Sequence, residues 1–142
     1  MEPDTRKNII FLCSYNSVRS QLAEGLMRDL YGDRYEVYSA GVARGGINPC
    51  TVTVMQESGI DISGQRSKSV TEYKGVHFDY IVTLCDTSRT TLTRYLPGGG
   101  VHIHHNFPAI TELGADEDAI RNNFRILRDE IKAWLLIQFR DA

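Results

Sequence analysis

Two short apolar runs constrain the fold more than anything else in the chain: Asn8-Ile-Ile-Phe-Leu-Cys13 and Phe78-Asp-Tyr-Ile-Val-Thr-Leu-Cys85. Each predicts a strand buried on both faces, the kind found in parallel sheets covered by helices. Helical patterns alternate with such runs. Leu22, Leu26, Met27 and Leu30 mark a helix from about Ser20 to Tyr31 that stops near Gly32. Tyr35 to Ala40 reads as a second strand. Asn48-Pro49 opens a helix through Met55 to Glu57, with Asn suited to the cap and Pro to the first turn. Asp86-Thr87-Ser88 would cap a helix ending by Pro97 and Gly98, the start of a glycine turn. Val101 to His105 reads as a shorter fourth strand. A last helix from about Asp116 to Phe139 carries the stripe Ile120, Phe124, Leu127, Ile131, Trp134 and Leu135. The alternation predicts an α/β fold, a three-layer αβα sandwich around a four-stranded parallel sheet. Ligands bind such sheets at the carboxyl ends of the strands, where Cys13 and Cys85 fall.

At 142 residues the chain reads as one domain, residues 1–142. Lys plus Arg is 16 against 18 for Asp plus Glu, a formal charge of -2, which excludes a broadly basic nucleic-acid binder. No apolar run is long enough to span a bilayer, so no membrane partner is expected. Residues Met1 to Asn8 lack the apolar stretch of a signal peptide. Three cysteines, an odd number, do not make a disulfide framework and suit reactive or buried thiols in a reducing cytoplasm.

The segment Cys13-Ser14-Tyr15-Asn16-Ser17-Val18-Arg19-Ser20 joins the first strand to the first helix. It has the parts needed to hold a tetrahedral oxyanion. The amides of Ser14, Tyr15, Asn16, Ser17 and Val18 and the helix N-terminus would face the anion. Arg19 would clamp it with a two-pronged guanidinium. The same donors would favour Cys13 as a nucleophilic thiolate, with Ser17 or Ser20 giving a hydroxyl to the sulfur. The spacing alone also fits a buried strand-end cysteine and a solvated arginine.

The stretch LCSYNSVRSQLAEGL resembles the phosphate-binding loop of the low-molecular-weight protein tyrosine phosphatase fold, and more closely that of the arsenate reductases built on it. YSAGV at Tyr38 to Val42, Asn48-Pro49, GIDISGQRSK at Gly59 to Lys68, VTLCD at Val82 to Asp86 and RDEIKAW at Arg128 to Trp134 agree with it. Gln21, where phosphatases of this fold usually have Pro, favours the reductase branch. The resemblance implies a reduction of arsenate to arsenite, with phosphate as an analogue, and a part in arsenic resistance. Cys13 would attack arsenic, and Cys85 would then attack the Cys13 sulfur, leaving a Cys13–Cys85 disulfide and releasing arsenite. Taken alone, Cys85 also fits a buried strand-end thiol. Thioredoxin-coupled relatives carry a further cysteine shortly after this one; Thr87 to Gly100 has none. The reductant would then be thioredoxin, glutaredoxin or a low-molecular-weight thiol acting directly. Cys50 is either a third thiol or a partly buried helix residue.

The relatives also carry an Asp in a Phe-Pro-Asp-like stretch before the last helix, where this chain reads Phe107-Pro108-Ala109-Ile110. Glu112, Asp116, Glu117 and Asp118 are the nearby substitutes, though the last three also suit a helix start. The missing acid argues against an efficient phosphatase. Asn16, Glu24 and Ser39 match positions that in some related reductases surround a potassium ion and brace the loop. The remaining carboxylate position is Lys68, whose ammonium would stand in for the ion, so no bound potassium is expected. A plain polar cluster at a loop edge is the alternative. His102 and His104 would share one face of their strand, but lack a third ligand and read as hydrogen-bonded or solvated side chains, as does His105. No metal or other cofactor is expected. A phosphotyrosine phosphatase and a non-catalytic oxyanion-binding domain remain as the alternatives.

Overall fold

The computed structural model describes residues 5–96, 100–110 and 116–140. Strands and helices alternate along it: β1 (Lys7–Cys13), α1 (Arg19–Tyr31), β2 (Tyr35–Gly41), α2 (Pro49–Glu57), β3 (Tyr80–Thr83), α3 (Asp86–Tyr95), β4 (Val101–His104) and α4 (Glu117–Phe139). A 3-10 turn at Val70–Tyr73 lies between α2 and β3. The four strands form one sheet in the order β2-β1-β3-β4, parallel throughout.

Alternation along β1 divides the core. Ile9, Phe11 and Cys13 face one side, against α1, α2 and the predicted stripe of α4. Ile10 and Leu12 face the other, with Val70, Phe78, Ile81 and Leu96. Helices therefore cover both faces of a sheet whose central strands are apolar on both sides. Two of the sequence signals for helix starts are used as expected, whereas Asp86, read with Thr87 and Ser88 as a cap, is already the first residue of α3 and Ser88 Oγ donates to Cys85 O. The Asn48 side chain accepts from the Cys50 amide at 2.9 Å with Pro49 in the first turn, and Asp116 accepts from the Ala119 amide at 2.8 Å.

Two strands are shorter than predicted. β3 begins at Tyr80; just before it the Asp79 amide still reaches Asn8 O at 3.1 Å and Asn8 Oδ1 at 2.9 Å, the Asp79 carboxylate accepts from the Asn8 amide at 2.9 Å, and Phe78 packs in the second core cluster. Past Thr83, the Leu84 amide still donates to Leu12 O at 2.8 Å, but Cys85 already turns into α3. β4 ends at His104, although the His105 amide still reaches Thr83 O at 3.0 Å. The predicted α3 stop at Pro97 and Gly98 falls outside the described residues, as does most of the glycine turn. Among the described residues no helix is long and apolar enough to cross a membrane.

The order of strands places the site. From β1 the chain steps to β2 on one side, then crosses to β3 and β4 on the other. The direction of winding reverses between β1 and β3, and this opens a crevice at their carboxyl ends. Cys13 is the last residue of β1, and Cys85 follows two residues after the end of β3.

Candidate functional site

The loop after Cys13 is held by its carbonyls. Val42 N donates to Cys13 O at 3.0 Å, Ala43 N to Ser14 O at 3.0 Å, Gly45 N to Tyr15 O at 2.9 Å and Asn48 N to Ser17 O at 3.2 Å. With its carbonyls tied to this outer strap, the loop's amides from Ser14 to Val18 have no acceptor among the described residues. α1 begins without a side-chain cap and without an acidic residue in its first turn, so its own orphan amides add to theirs. The arrangement is a nest of N–H donors, suited to an anion. Gly41 lets the loop sit this close: a Cβ there would lie 2.7 Å from Asn16 N and 2.4 Å from Ala43 O. Arg19 opens α1, and its Nη1 donates to Phe107 O at 3.1 Å. That contact uses one of five N–H donors and anchors the guanidinium beside the loop.

Asn16 is the keystone of the loop. It is buried and, among the described non-glycine residues, alone has a positive φ, 52°. Asn tolerates that region better than most residues. Its Nδ2 donates to Ser20 Oγ at 2.7 Å and Ser39 Oγ at 2.9 Å; its Oδ1 accepts from Gln21 Nε2 and Lys68 N, both at 2.8 Å. Ser39 Oγ donates in turn to Glu24 Oε1 at 2.5 Å, and Arg28 holds the other Glu24 oxygen at 2.7 Å. Lys68 Nζ lies 3.5 Å from Glu24 Oε1 and donates to Arg66 O at 2.7 Å. Burial pushes the Lys68 ammonium below its ordinary pKa, with the Glu24 carboxylate acting against that shift. The Lys68 ammonium thus lies within the Asn16, Glu24 and Ser39 cluster. Asn16→Ala would leave the Lys68 amide and two hydroxyls short of partners at a strained φ, so it is expected to destabilise the fold by about 3 kcal/mol. Urea unfolding measures this; a loss under about 1 kcal/mol would show that the loop does not depend on this side chain.

The two sulfurs lie at the same loop. Cys13 Sγ is 2.8 Å from Ser20 Oγ. Ser20 already accepts from Asn16, so its own proton is available to the sulfur. Ser14 Oγ, one residue along, is 3.4 Å from Cys85 Sγ. Burial pushes the Cys85 thiol up, but hydrogen bonds with Ser14 and Ser88 and the charge of Arg19 outweigh it and hold the thiol below its ordinary pKa. Cys85 also precedes the N-terminus of α3, where a thiolate is favoured. Cys13 and Cys85 are both free thiols.

Other expectations fare unevenly. Ser20, not Ser17, supplies the hydroxyl beside Cys13; the Ser17 carbonyl instead receives Asn48 N and, at 3.3 Å, Thr51 Oγ1. Cys50 is half-buried and packs on the flank of the core. Ala109 is exposed two residues beyond the Phe107 carbonyl that Arg19 holds. Asp116 is occupied as the α4 cap, Glu117 and Asp118 stand in that helix's first turn, Asp118 lies 3.7 Å from Arg121, and Glu112 falls outside the described residues. His102 and His104 do share a face, and both hydrogen-bond Thr83 Oγ1, at 3.0 and 2.7 Å. His105 packs on Phe107 and Trp134, with ring centroids 4.5 and 5.0 Å away. No cluster of His, Cys, Asp or Glu fit for a metal occurs among the described residues. Gln21, Ser88 and the Phe107 carbonyl were not singled out as supports of the site. Of these, Gln21 carried a signal only as the residue that favours the reductase branch.

A chain with this loop and this sheet order has close relatives. The sequence profile of the low molecular weight phosphotyrosine protein phosphatase family matches residues 8–105. An arsenate reductase of Halalkalibacterium halodurans is 41% identical over 128 residues, 89% of this chain and 90% of that protein. One from Bacillus licheniformis is 46% identical over 130 residues, 89% of this chain and 91% of that protein. Among solved structures, an arsenate reductase in its oxidised state superposes with a TM-score of 0.74 at 26% identity, covering 92% of this chain and 95% of the other. Another, in its phosphate-binding state, gives 0.68 at 25% identity, covering 91% and 93%. The anion nest at the end of β1 and these near-full-length matches have one reading: the chain belongs to the low molecular weight phosphotyrosine protein phosphatase family, in the company of its arsenate reductases.

Proposed function

We propose that this protein is an arsenate reductase that uses Cys13 as nucleophile and Cys85 as the second thiol. One observation carries the choice: Cys85 Sγ lies 3.4 Å from the hydroxyl of Ser14, the residue after Cys13, so a second thiol stands at the mouth of the anion loop. A hydrolase of phosphate esters has no use for it. Arsenate would sit on the amides of Ser14 to Val18 with Arg19 across two of its oxygens. The Cys13 sulfur attacks arsenic; a sulfur–arsenic bond forms, and one oxygen leaves as water once protonated. The Cys85 thiolate then attacks the Cys13 sulfur. A sulfur–sulfur bond forms, the sulfur–arsenic bond breaks, and its electron pair stays on arsenic, which departs as arsenite. Asn16, Glu24, Ser39 and Lys68 brace the loop and take no part in the chemistry. Recycling needs two electrons from thioredoxin, glutaredoxin or a low-molecular-weight thiol, a supply that suits a cytoplasmic enzyme of arsenic resistance.

Treating the thiol form with arsenate and no reductant is expected to remove two hydrogens from the protein, mapped by peptide mass spectrometry to Cys13 and Cys85, with one arsenite released per chain. Hydrolysis of an aryl phosphate without arsenite would sink this reading in favour of a phosphatase. Neither reaction, with phosphate still protecting Cys13 from alkylation, would leave a passive oxyanion-binding domain.

A further inference from the structure

The corner from β3 into α3 decides where the Cys85 sulfur points, and one side chain from the edge strand spans it. His104 Nδ1 lies 2.7 Å from Thr83 Oγ1, and its Nε2 lies 3.5 Å from Asp86 Oδ1. Thr83 is the last residue of β3, and Asp86 is the first of α3. The imidazole thus touches the chain on both sides of the Leu84-Cys85 corner. A rigid ring with two contacts fixes the spacing between strand end and helix start, and with it the direction of the turn. Thr83 Oγ1 also lies 3.0 Å from His102 Nε2. Thr83 is fully buried, so its bond to His104 is the strong arm. Asp86 is exposed and also faces Arg89 at 3.5 Å, so its arm is the weaker one.

We propose that His104 is a positioning residue for Cys85, holding the β3–α3 corner so that the second thiol stays aimed at the Cys13 sulfur. This rests on the assignment of Cys85 as the second thiol and extends it to the edge strand. No contact of His104 with either sulfur is seen; it acts through the side chains of Thr83 and Asp86, on either side of Cys85.

Hydrogen peroxide tests the step without arsenate. Peroxide transfers one oxygen to the Cys13 thiolate, giving a sulfenic acid. The Cys85 thiolate attacks that sulfur, the disulfide forms, and the oxygen leaves as water. If Cys85 is slow, a second peroxide takes Cys13 to the sulfinic acid instead. In His104→Ala, the first oxidation of Cys13 is expected at the native rate and the disulfide step about ten-fold slower, with sulfinic acid accumulating at Cys13 by mass spectrometry. His104→Asn, which returns a hydrogen-bonding amide to Thr83, is expected to restore most of the disulfide. An unchanged partition in His104→Ala would overturn the proposal. So would an equal loss of both steps, because His104 would then support the whole site and not the aim of Cys85. A native protein that closes the disulfide with peroxide but makes no arsenite from arsenate would overturn the arsenate reading alone. One that never closes it would overturn both.

Discussion

Cys85→Ser is expected to abolish arsenite release while leaving the anion loop intact. The substitution keeps a small hydrogen-bonding group against Ser14 and Ser88 but removes the sulfur proposed to take the Cys13 sulfur from arsenic. Phosphate should still protect Cys13 from alkylation, since the amides of Ser14 to Val18 and Arg19 are untouched. Arsenite release retained by this variant, with no added thiol, would overturn the role given to Cys85. The native enzyme should show a matching pH dependence. Burial raises the Cys85 pKa, yet Ser14, Ser88 and Arg19 together hold it below the ordinary thiol value. The thiolate therefore persists as pH falls through about 8.5, where a free cysteine is half protonated. Disulfide closure in a pre-formed Cys13 adduct should keep its rate through that range and decline only at lower pH. A midpoint at or above the ordinary thiol value would contradict this.

The sheet was legible because its signal is redundant. β1 is apolar on both faces, α1 and α4 carry stripes at helical spacing, and Asn48-Pro49 and Asp116 are caps in the positions they take up. The strand ends were less legible, because they are set by partners far along the chain. Asp79, just before β3, is clasped by the side chain and amide of Asn8, 71 residues away. The Cys13 to Arg19 loop could be read from its order of residue types. Its supports could not, because they are contacts rather than patterns. Nothing in the spacing says that Ser20 rather than Ser17 meets Cys13, that the Phe107 carbonyl receives Arg19, or that His104 reaches Thr83. Those depend on how the strand ends line up at the crevice, which only the folded chain fixes.

Ala109→Asp is expected to raise aryl phosphate hydrolysis by roughly 10²–10⁴-fold and to leave arsenite production nearly unchanged. Arg19 holds the Phe107 carbonyl at 3.1 Å, so a carboxyl at position 109 enters two residues beyond the carbonyl held by the guanidinium that would bind the substrate. Hydrolysis of a phosphate ester expels an alkoxide or phenolate, whose departure is fastest when a carboxylic acid gives it a proton in the same step. Reduction of arsenate has no such leaving group. Arsenic exchanges its oxygens readily, and the bond that breaks last, between sulfur and arsenic, needs no proton on sulfur because Cys85 takes it. The gain should therefore grow with the basicity of the leaving group: large for phenyl phosphate, small for a nitrophenyl ester whose phenolate leaves unaided. Ala109→Asn, equal in size and polarity but without a transferable proton, separates acid catalysis from a general change in the loop. A rise of the same size with Asn, or a gain independent of the leaving group, would refute the argument. A parallel rise in arsenite production would show instead that proton supply limits both reactions, and that the acid's absence from this chain does not set it apart from a phosphatase.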